Sequence, residues 1–243
     1  MKDNFSTNSE EYSKFRPRYP EALFRFLETK ILNKENAWDC GTGNGQVAAE
    51  LSEFFTRVEA TDISAQQLES AIQKPNIFYS KQPAEKTKFP ENSFDLITVA
   101  QAIHWFDFEK FYIEVRRVFK PKGFIAVMGY SLFNSSSKTD EVIYYLYEKL
   151  LGKYWDKERR YLEEAYQSIP FPFNEIETPN FSQEYQWNFE QLIGYLKTWS
   201  AVKHFEKAEN YNPVDKISPQ LKEAFGEIGK VFFPILFRFG QID

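Results

Sequence analysis

Three glycines and an aspartate stand close together in the segment Asp39–Gln46, which reads DCGTGNGQ. Glycines in such a turn let backbone N–H groups approach a ligand closely at a helix N-terminus. A dinucleotide-binding turn of the G-x-G-x-x-G type would have its third glycine at position 46, but this chain has Gly45 followed by Gln46. The carboxylate of Asp39 would repel a pyrophosphate by about 1–4 kcal/mol, and it suits a ligand that carries a cation.

A second aspartate, Asp62, stands 23 positions after Asp39, where the second strand is predicted to end. An acid at that place accepts hydrogen bonds from ribose hydroxyls in folds that bind nucleosides at a sheet edge. The two aspartates together predict a pocket for a nucleoside that has a cationic group and no phosphate. S-adenosylmethionine fits that description.

The first half of the chain alternates stretches typical of strands with stretches typical of helices. Five such repeats predict a parallel sheet with helices on both faces. Helix starts are marked by Ser64, with Gln67 as its capping-box partner, and by Asp107. The predicted strands are Ala37–Cys40, Arg57–Thr61, Asn76–Ser80, Phe94–Ala100 and Phe124–Tyr130.

The residues that position this chemistry are expected at one edge of the sheet. Crossovers between parallel strands are right-handed, so the carboxyl ends of the strands share an edge, and ligands bind there. The loops at that edge contain nearly all the unusual residues of the first half; they are 41–45, 62–64, 82–86 and 101–107.

The second half is predicted to form a cap and then to return to the sheet. Residues 131–139 read as a polar linker and residues 140–168 as helical. Helices are predicted over Phe189–Phe205 and Pro219–Gly229, and strands over Glu184–Phe189 and Val231–Phe239, where Pro234 marks an edge or a bulge.

These elements predict an α/β fold with a Rossmann-like, seven-stranded, mostly parallel sheet, helices on both faces and an antiparallel C-terminal hairpin. We divide the chain into a cofactor-binding core with an N-terminal lid at 1–130, an inserted helical cap at 131–180 and a C-terminal segment at 181–243 that returns to the sheet.

The chain resembles the class I S-adenosylmethionine-dependent methyltransferases, and within them the type 11 small-molecule branch that includes trans-aconitate methyltransferase-like proteins. The resemblance covers residues 10–130 well and the remainder thinly. The segments that carry it are Asp39–Gln46, ATDIS around Asp62, Ala84-Glu85 before FPENSFD, QAIHWFD at 101–107, Tyr12 with RPRYP at 16–20, and KTWSA at 197–201.

This resemblance implies which residues hold S-adenosylmethionine. The methionine portion would contact Gly41, Gly43 and Gln101, with Asp39 near its ammonium. Thr42 and Gln46 would also bind the cofactor. The ribose hydroxyls would be bound by Asp62, and the adenine would be contacted by Ile63, Ala84 and Glu85. The residues expected to close over the cofactor are Tyr12, Arg16 and Tyr19.

The expected reaction is in-line transfer of the sulfonium methyl, in which positioning alone can contribute about 7–11 kcal/mol. A carboxylate acceptor is ionised at neutral pH and needs no base. A phenol or amine would need a proton removed, and His104 is the candidate base. Substrate contacts are predicted for Arg18, Trp105 and Trp199, and a substrate carboxylate could pair with Arg16, Arg18, Lys197 or Lys203.

The resemblance favours O-methylation of a small carboxylic acid, but other functions stay open. The 25 Phe, 14 Tyr and 5 Trp would equally suit an aromatic or lipid-like acceptor. A protein that binds S-adenosylmethionine without catalysis is the alternative of a different class. A nicotinamide-dependent oxidoreductase is disfavoured by Asp39, by Gln46 and by the lack of a Tyr-x-x-x-Lys pair in the expected region.

The composition excludes several other classes of function. The net charge of −5 disfavours a protein that is held to nucleic acid by phosphate contacts. Two histidines and one cysteine leave little for a metal site, and no apolar run approaches the ~18 residues that cross a bilayer. We therefore expect a cytoplasmic monomer or weak homodimer that acts on a small molecule, with no nucleic-acid or membrane partner and no metal.

Overall fold

The computed structural model describes residues 15–242. Its open sheet has the strand order β3-β2-β1-β4-β5-β8-β6, and β7 pairs with β8 outside that path. The strands are β1 (Asn36–Cys40), β2 (Arg57–Asp62), β3 (Ile77–Lys81), β4 (Phe94–Ala100), β5 (Phe119–Tyr130), β6 (Asn174–Glu175), β7 (Ser182–Asn188) and β8 (Ile228–Gln241).

The helices flank this sheet and form a layer beside it. The α-helices are α1 (Glu21–Lys30), α2 (Gln46–Leu51), α3 (Ala65–Glu69), α4 (Phe108–Val118), α5 (Ser137–Tyr144), α6 (Arg160–Glu163), α7 (Phe189–Lys197), α8 (Ser200–Glu209) and α9 (Pro213–Phe225). Short 3-10 turns cover Ile103–Trp105, Gly152–Tyr154 and Lys157–Arg159, and a π-helical turn covers Tyr145–Leu150.

The predicted fold class is confirmed. Strands β1 to β5 pair in parallel, and β8 pairs antiparallel with β5, β6 and β7. The sheet has eight strands within the described residues instead of seven, because the two-residue β6 adds an edge beside β8.

Local sequence explains why the parallel half forms as predicted. Strand β4 is almost wholly buried, as its continuous apolar sequence requires in a parallel sheet covered on both faces. The Ser64 hydroxyl accepts a hydrogen bond from the Gln67 N–H at 3.3 Å, and the Asp107 carboxylate accepts one from the Lys110 N–H at 3.3 Å. Both predicted helix caps are therefore confirmed.

Two apolar clusters hold helices against the opposite faces of the sheet. Leu23 and Leu27 of α1 pack with Leu51 of α2 and the inner strands. On the other face, α4 packs against Trp38 and its neighbours through Phe111, Val115 and Val118. Fully burying each such side chain contributes roughly 1.5–3 kcal/mol, so these clusters fix the strands whose ends form the cleft.

The helical layer is built from two separate stretches of the chain. Ile143 of α5 and Leu146 of the π-helical turn pack in one cluster with Leu196 of α7 and Leu221 of α9. The strands β6 and β7 stand between these stretches in the sequence. The proposed cap boundary at residue 180 stays a prediction.

Several elements of the second half are present with bounds that differ from the predicted ones. The run expected as one helix over Phe189–Phe205 breaks at Trp199, whose backbone is extended between α7 and α8. The helix expected from Pro219 begins six residues earlier at Pro213, because Asn212 caps it and proline suits the first helical position. Pro219 is exposed within α9, and the predicted strand Val231–Phe239 extends to Ile228–Gln241.

Residues 140–168 are helical as predicted, but in separate pieces: the main part of α5, the π-helical turn, two 3-10 turns and α6. Pro234 stands where β8 changes partner, because residues 228–234 pair with β7 and residues 235–241 with β5. The ladder with β5 ends at Ile235, next to Pro234, so the missing N–H is tolerated there as the predicted edge position allows.

Candidate cofactor-binding cleft

A cleft opens at the carboxyl edge of the parallel strands, as the topology predicts. The loops after β1, β2 and β4, the end of β5 and the N-terminal segment meet there. The lining residues are Arg16, Pro17, Tyr19, Gly41, Thr42, Gly43, Asn44, Gln46, Val47, Asp62, Ile63, Ser64, Gln67, Ala100, Gln101, Ala102, Trp105, Phe106 and Tyr130.

In the glycine turn between β1 and α2, both Gly41 and Gly43 have a backbone conformation that favours glycine, but of the two only Gly41 also lacks space for a side chain. Gly41 and Gly43 have φ of +70° and +55°, a region that residues with a side chain adopt only at a cost. A Cβ on Gly41 would lie 2.7 Å from the Ala102 Cβ. A Cβ on Gly43 would meet nothing closer than Gln67 Oε1 at 3.9 Å, so open space lies over Gly43. That open backbone fits the close approach of a ligand.

Alanine at these two glycines is expected to separate stability from binding. Both variants have similar backbone strain, but Gly41→Ala should lower the unfolding free energy by about 1–2 kcal/mol more than Gly43→Ala, because of overpacking against Ala102. Gly43→Ala should stay folded and weaken binding of S-adenosylhomocysteine about tenfold. Denaturant unfolding and calorimetric titration of both variants test this, and equal losses of stability would contradict it.

Asp39 lies beneath the turn and does not line the cleft. It is 1% exposed, and its Oδ2 accepts hydrogen bonds from Thr42 Oγ1 at 2.5 Å and from the Ala48 N–H at 3.1 Å. Its Oδ1 accepts one from Thr98 Oγ1 at 2.8 Å. Burial raises the pKa of Asp39 to about 6, despite these hydrogen bonds, which favour the charged form. The carboxylate therefore ties β1, the turn, α2 and β4 together.

Asp62 lines the cleft and holds the next loop to the glycine turn. Its Oδ2 accepts a hydrogen bond from the Gly43 N–H at 2.9 Å, and its Oδ1 accepts one from the Ser64 N–H at 2.8 Å. An ionised carboxylate offers about four acceptor positions. Asp62 can therefore keep these two contacts and still accept hydrogen bonds from ligand hydroxyls.

Gln101 forms the far wall of the cleft, after β4, with a strained backbone at φ +53°. Its Nε2 donates to the Tyr130 carbonyl at 3.1 Å, and its Oε1 accepts from the Tyr166 hydroxyl at 3.4 Å. The same hydroxyl lies 3.2 Å from His104 Nδ1. These contacts link the cleft wall to a buried tyrosine and histidine.

His104, the predicted base, is 6% exposed and does not line the cleft. Burial, with a smaller contribution from the Arg159 charge, lowers the pKa of His104 to about 3. General bases work best with a pKa near the working pH. The geometry therefore does not favour the predicted catalytic role.

The pH dependence of the reaction tests that reading of His104. Replacing His104 with asparagine is expected to lower the rate less than about tenfold and to leave the shape of the pH–rate profile unchanged between about pH 5 and 8, because a group with pKa near 3 does not titrate there. Loss of an ionisation in that window on His104→Asn would restore His104 as the base.

The N-terminal segment reaches over the cleft through Arg16. Its Nη1 donates to the Tyr130 hydroxyl at 3.1 Å and its Nη2 to the Thr198 carbonyl at 3.3 Å. The guanidinium carbon lies 5.7 Å from the Tyr195 ring centre. Arg16 thus connects this segment with the end of β5 and the helical layer. The predicted lid residue Tyr12 lies outside the described residues.

Most of the predicted site residues come together in this cleft. Those that line it are Arg16, Tyr19, Gly41, Thr42, Gly43, Gln46, Asp62, Ile63, Gln101 and Trp105. Sequence reasoning missed Phe106 and Tyr130. Tyr130 could have been found, because it ends β5 at the same edge as the other cleft residues.

Six predicted contacts do not line the cleft: Arg18, Asp39, Ala84, Glu85, His104 and Trp199. Arg18 is exposed and faces a separate cavity beside Gln46. Ala84 is 3% exposed, and Glu85 Oε1 accepts the Asp107 N–H at 3.1 Å. Trp199 is held among the rings of Tyr147, Trp155 and Tyr195. Packing and hydrogen bonds within the protein account for these positions.

Residues 15–242 contain neither a cluster placed to bind a metal nor a helix able to span a membrane. No group of three or more acidic, histidine or cysteine side chains is placed to hold a metal ion in that range. No helix in that range has the length and apolar character needed to cross a bilayer. The cytoplasmic location and the oligomeric state stay predictions.

Known proteins share this architecture and sequence. Residues 38–127 match the methyltransferase domain family. A protein of Dictyostelium discoideum named as a methyltransferase is 32% identical over 227 residues, covering 92% of this chain and 86% of its own. A protein of Saccharomyces cerevisiae named as an S-adenosylmethionine-dependent methyltransferase is 22% identical, with 90% and 89% covered.

A solved structure extends the similarity to the whole fold. A protein from Anaeromyxobacter dehalogenans named as a type II methyltransferase is 40% identical, with a TM-score of 0.86 over 93% of this chain and 98% of its own. The open backbone over Gly43 and the carboxylate of Asp62 fit an adenosyl ligand without phosphate. The chain therefore belongs to the class I S-adenosylmethionine-dependent methyltransferases and uses S-adenosylmethionine as its cofactor.

Proposed function

We propose that this methyltransferase transfers the methyl group to a carboxylate oxygen of a small organic acid and so forms a methyl ester. The observation that carries the proposal is the set of titratable side chains in the cleft. Among its described lining residues these are Arg16, Tyr19, Asp62 and Tyr130, with no histidine or lysine. A carboxylate acceptor is already ionised near neutral pH, so it suits a site with no evident base beside it.

The placement of the cleft residues supports a role for each of them in this reaction. Asp62 binds the ribose hydroxyls, and the backbone at Gly41 and Gly43 lies along the methionine portion. S-adenosylmethionine supplies a methyl already activated by its positively charged sulfur. Gln101 and Trp105 orient the reactants from the β4 side and exclude water, which raises the rate by alignment. Arg16 supplies a positive charge at the acceptor end.

An aromatic or lipid-like acceptor is the second candidate, because aromatic rings form much of the cleft wall. Tyr19, Trp105, Phe106 and Tyr130 all line it. Such rings can bind an apolar acceptor through buried area alone. Acceptor screening decides between the two, since only an acid can form an ion pair with Arg16.

Transfer of a labelled methyl group tests the proposal. The purified protein is incubated with methyl-labelled S-adenosylmethionine and a panel of small mono-, di- and tricarboxylates, with the matched amides as controls. We expect label in the acids and not in the amides, and we expect base to release it as methanol. A base-stable product, or label in neutral aromatic acceptors alone, would overturn the carboxylate assignment.

A further inference from the structure

Another cavity lies between the end of β5 and the helical layer. Its lining includes Ser131, Leu132, Tyr147, Arg159 and Leu162. Ser131 directly follows Tyr130, which lines the cofactor cleft. The two cavities therefore have lining residues that are neighbours in the chain where β5 ends, and in the strand order β5 lies beyond β1 and β4 from β2, which ends at Asp62.

The positive charge of this cavity belongs to Arg159, which rests against aromatic rings. Its guanidinium carbon lies 4.8 Å from the centre of the Trp155 ring and 5.4 Å from that of Tyr147. Its Nε donates to the Tyr147 hydroxyl at 2.9 Å. These contacts fix the plane of the guanidinium, which reduces the entropy lost when it binds a ligand.

The acidic side chains that line the same cavity do not form an ion pair with Arg159. Within residues 15–242, no carboxylate lies within ion-pair distance of Arg159, and no hydrogen bond is formed by its two Nη atoms. Glu148 and Glu163 also line the cavity but are exposed, and Glu163 accepts the Tyr147 hydroxyl at 2.5 Å. A half-buried guanidinium with two donor groups available is suited to a planar anion.

Arg159 is also close to the acceptor side of the cofactor cleft. The turn Lys157–Arg159 packs against the turn Ile103–Trp105, whose Trp105 lines the cleft. The charge of Arg159 acts on His104 in that turn and contributes to lowering its pKa. The guanidinium is therefore near the loop that borders the methyl acceptor.

We propose that Arg159 recognises the acceptor, binding one carboxylate of a di- or tricarboxylate while another carboxylate of the same molecule lies in the cleft. This proposal rests on the proposed function, because it takes the acceptor to be an acid. It adds a second anionic group to the substrate and assigns the residue that selects it. Arginine presents a planar fork that matches a carboxylate through two parallel hydrogen bonds.

Calorimetry on the whole protein tests this recognition without relying on turnover. The protein is saturated with S-adenosylhomocysteine and titrated with succinate and with tricarballylate, and dimethyl succinate serves as the neutral probe. The variants are Arg159→Gln and Arg159→Lys. Arg160→Gln is the matched control, because Arg160 is the next residue, is exposed and lies against the Tyr161 ring instead.

Arg159→Gln should weaken binding of the acids at least about tenfold, the loss expected for one charge-assisted contact. Arg159→Lys should fall between that variant and the wild type, whereas Arg160→Gln should match the wild type. All variants should bind S-adenosylhomocysteine equally. Unchanged acid affinity in Arg159→Gln, or no acid binding by the wild type, would overturn the assignment. Acids that bind through Arg159 but receive no labelled methyl would overturn the proposed function alone.

Discussion

Replacing Asp62 with alanine is expected to weaken the binding of S-adenosylhomocysteine at least about 100-fold. Hydrogen bonds to a charged group contribute about 1.5–3 kcal/mol each, and a ribose offers two hydroxyls to this carboxylate. The loss of about 3 kcal/mol corresponds to about two orders of magnitude in the dissociation constant. Calorimetric titration of wild type and variant measures it directly.

Part of the affinity lost in Asp62→Ala would come from contacts that Asp62 makes with the protein itself. Asp62 also accepts the N–H groups of Gly43 and Ser64, so its removal loosens the contact between the glycine turn and the start of α3. Asp62→Asn retains one acceptor oxygen and should lose less affinity than Asp62→Ala. Asp107→Ala is a suitable control, because Asp107 also accepts a backbone N–H at a helix start but does not line the cleft.

The Asp107→Ala control separates ligand binding from loss of structure. Asp107→Ala should lower the unfolding free energy by about 1 kcal/mol, as loss of a helix cap does, and should leave the affinity for S-adenosylhomocysteine unchanged. An Asp62→Ala variant that binds within threefold of the wild type would show that the ribose is held elsewhere.

The half of the cleft formed by β1 and β2 could be predicted from the sequence, because its determinants are local. A buried strand, a glycine turn and a helix follow one another within Asn36–Leu51. The cap at Ser64 and the end of β2 at Asp62 are equally local signals. The register of the parallel strands then brings these loops together with no further information.

The acceptor half could not be predicted, because it depends on contacts between distant parts of the chain. The Tyr166 hydroxyl contacts Gln101 and His104, which lie 65 and 62 residues earlier in the chain. The backbone at Tyr166 is left-handed, with φ of +60°, and the sequence gives no sign of this because the residue is not glycine. A Cβ on Gly129 would lie 2.8 Å from the Tyr166 ring, so the ring needs the space at that glycine. Such a pairing is not visible in hydrophobic periodicity.

Breaks between helices caused the remaining errors. Thr198 and Trp199 continue the apolar pattern of α7, so the sequence reads as one helix. The packing of Trp199 against Tyr147, Trp155 and Tyr195 instead places an extended residue at that position. Tertiary packing overrides the local pattern here, and the position of Arg159 beside Trp155 depends on the same cluster.

The second large effect concerns Asp39, whose replacement by asparagine should change how stability depends on pH. Folding raises the pKa of Asp39 from 3.8 to about 6 because the carboxyl is buried. Between these values the folded protein keeps a proton that the unfolded chain has released, so stability falls as pH rises through this window. Above about pH 6 the loss of stability caused by the buried, ionised Asp39 is constant, at about 3 kcal/mol.

The difference in unfolding free energy between the wild type and Asp39→Asn isolates the contribution of Asp39. We expect the unfolding free energy of the wild type to fall by about 2 kcal/mol relative to Asp39→Asn between pH 4 and pH 7. Acids with lowered pKa, such as Glu114 and Glu175, give the opposite slope, but they are common to both proteins and cancel. Denaturant unfolding at several pH values measures the difference, and parallel pH profiles would contradict the assignment.

A carboxylate that costs stability at neutral pH is explained if it acts on a cation bound nearby. Asp39 does not line the cleft, but Thr42, which donates to it, does. A bound cation favours the ionised form, so cofactor binding should lower the pKa of Asp39 and release a proton near pH 5–6. Above that pH range, each unit by which binding lowers the pKa of Asp39 corresponds to an affinity for the cofactor that is about tenfold higher. Titrations in buffers of different ionisation enthalpy should detect this proton in the wild type and not in Asp39→Asn; equal release would leave the buried charge with a purely structural role.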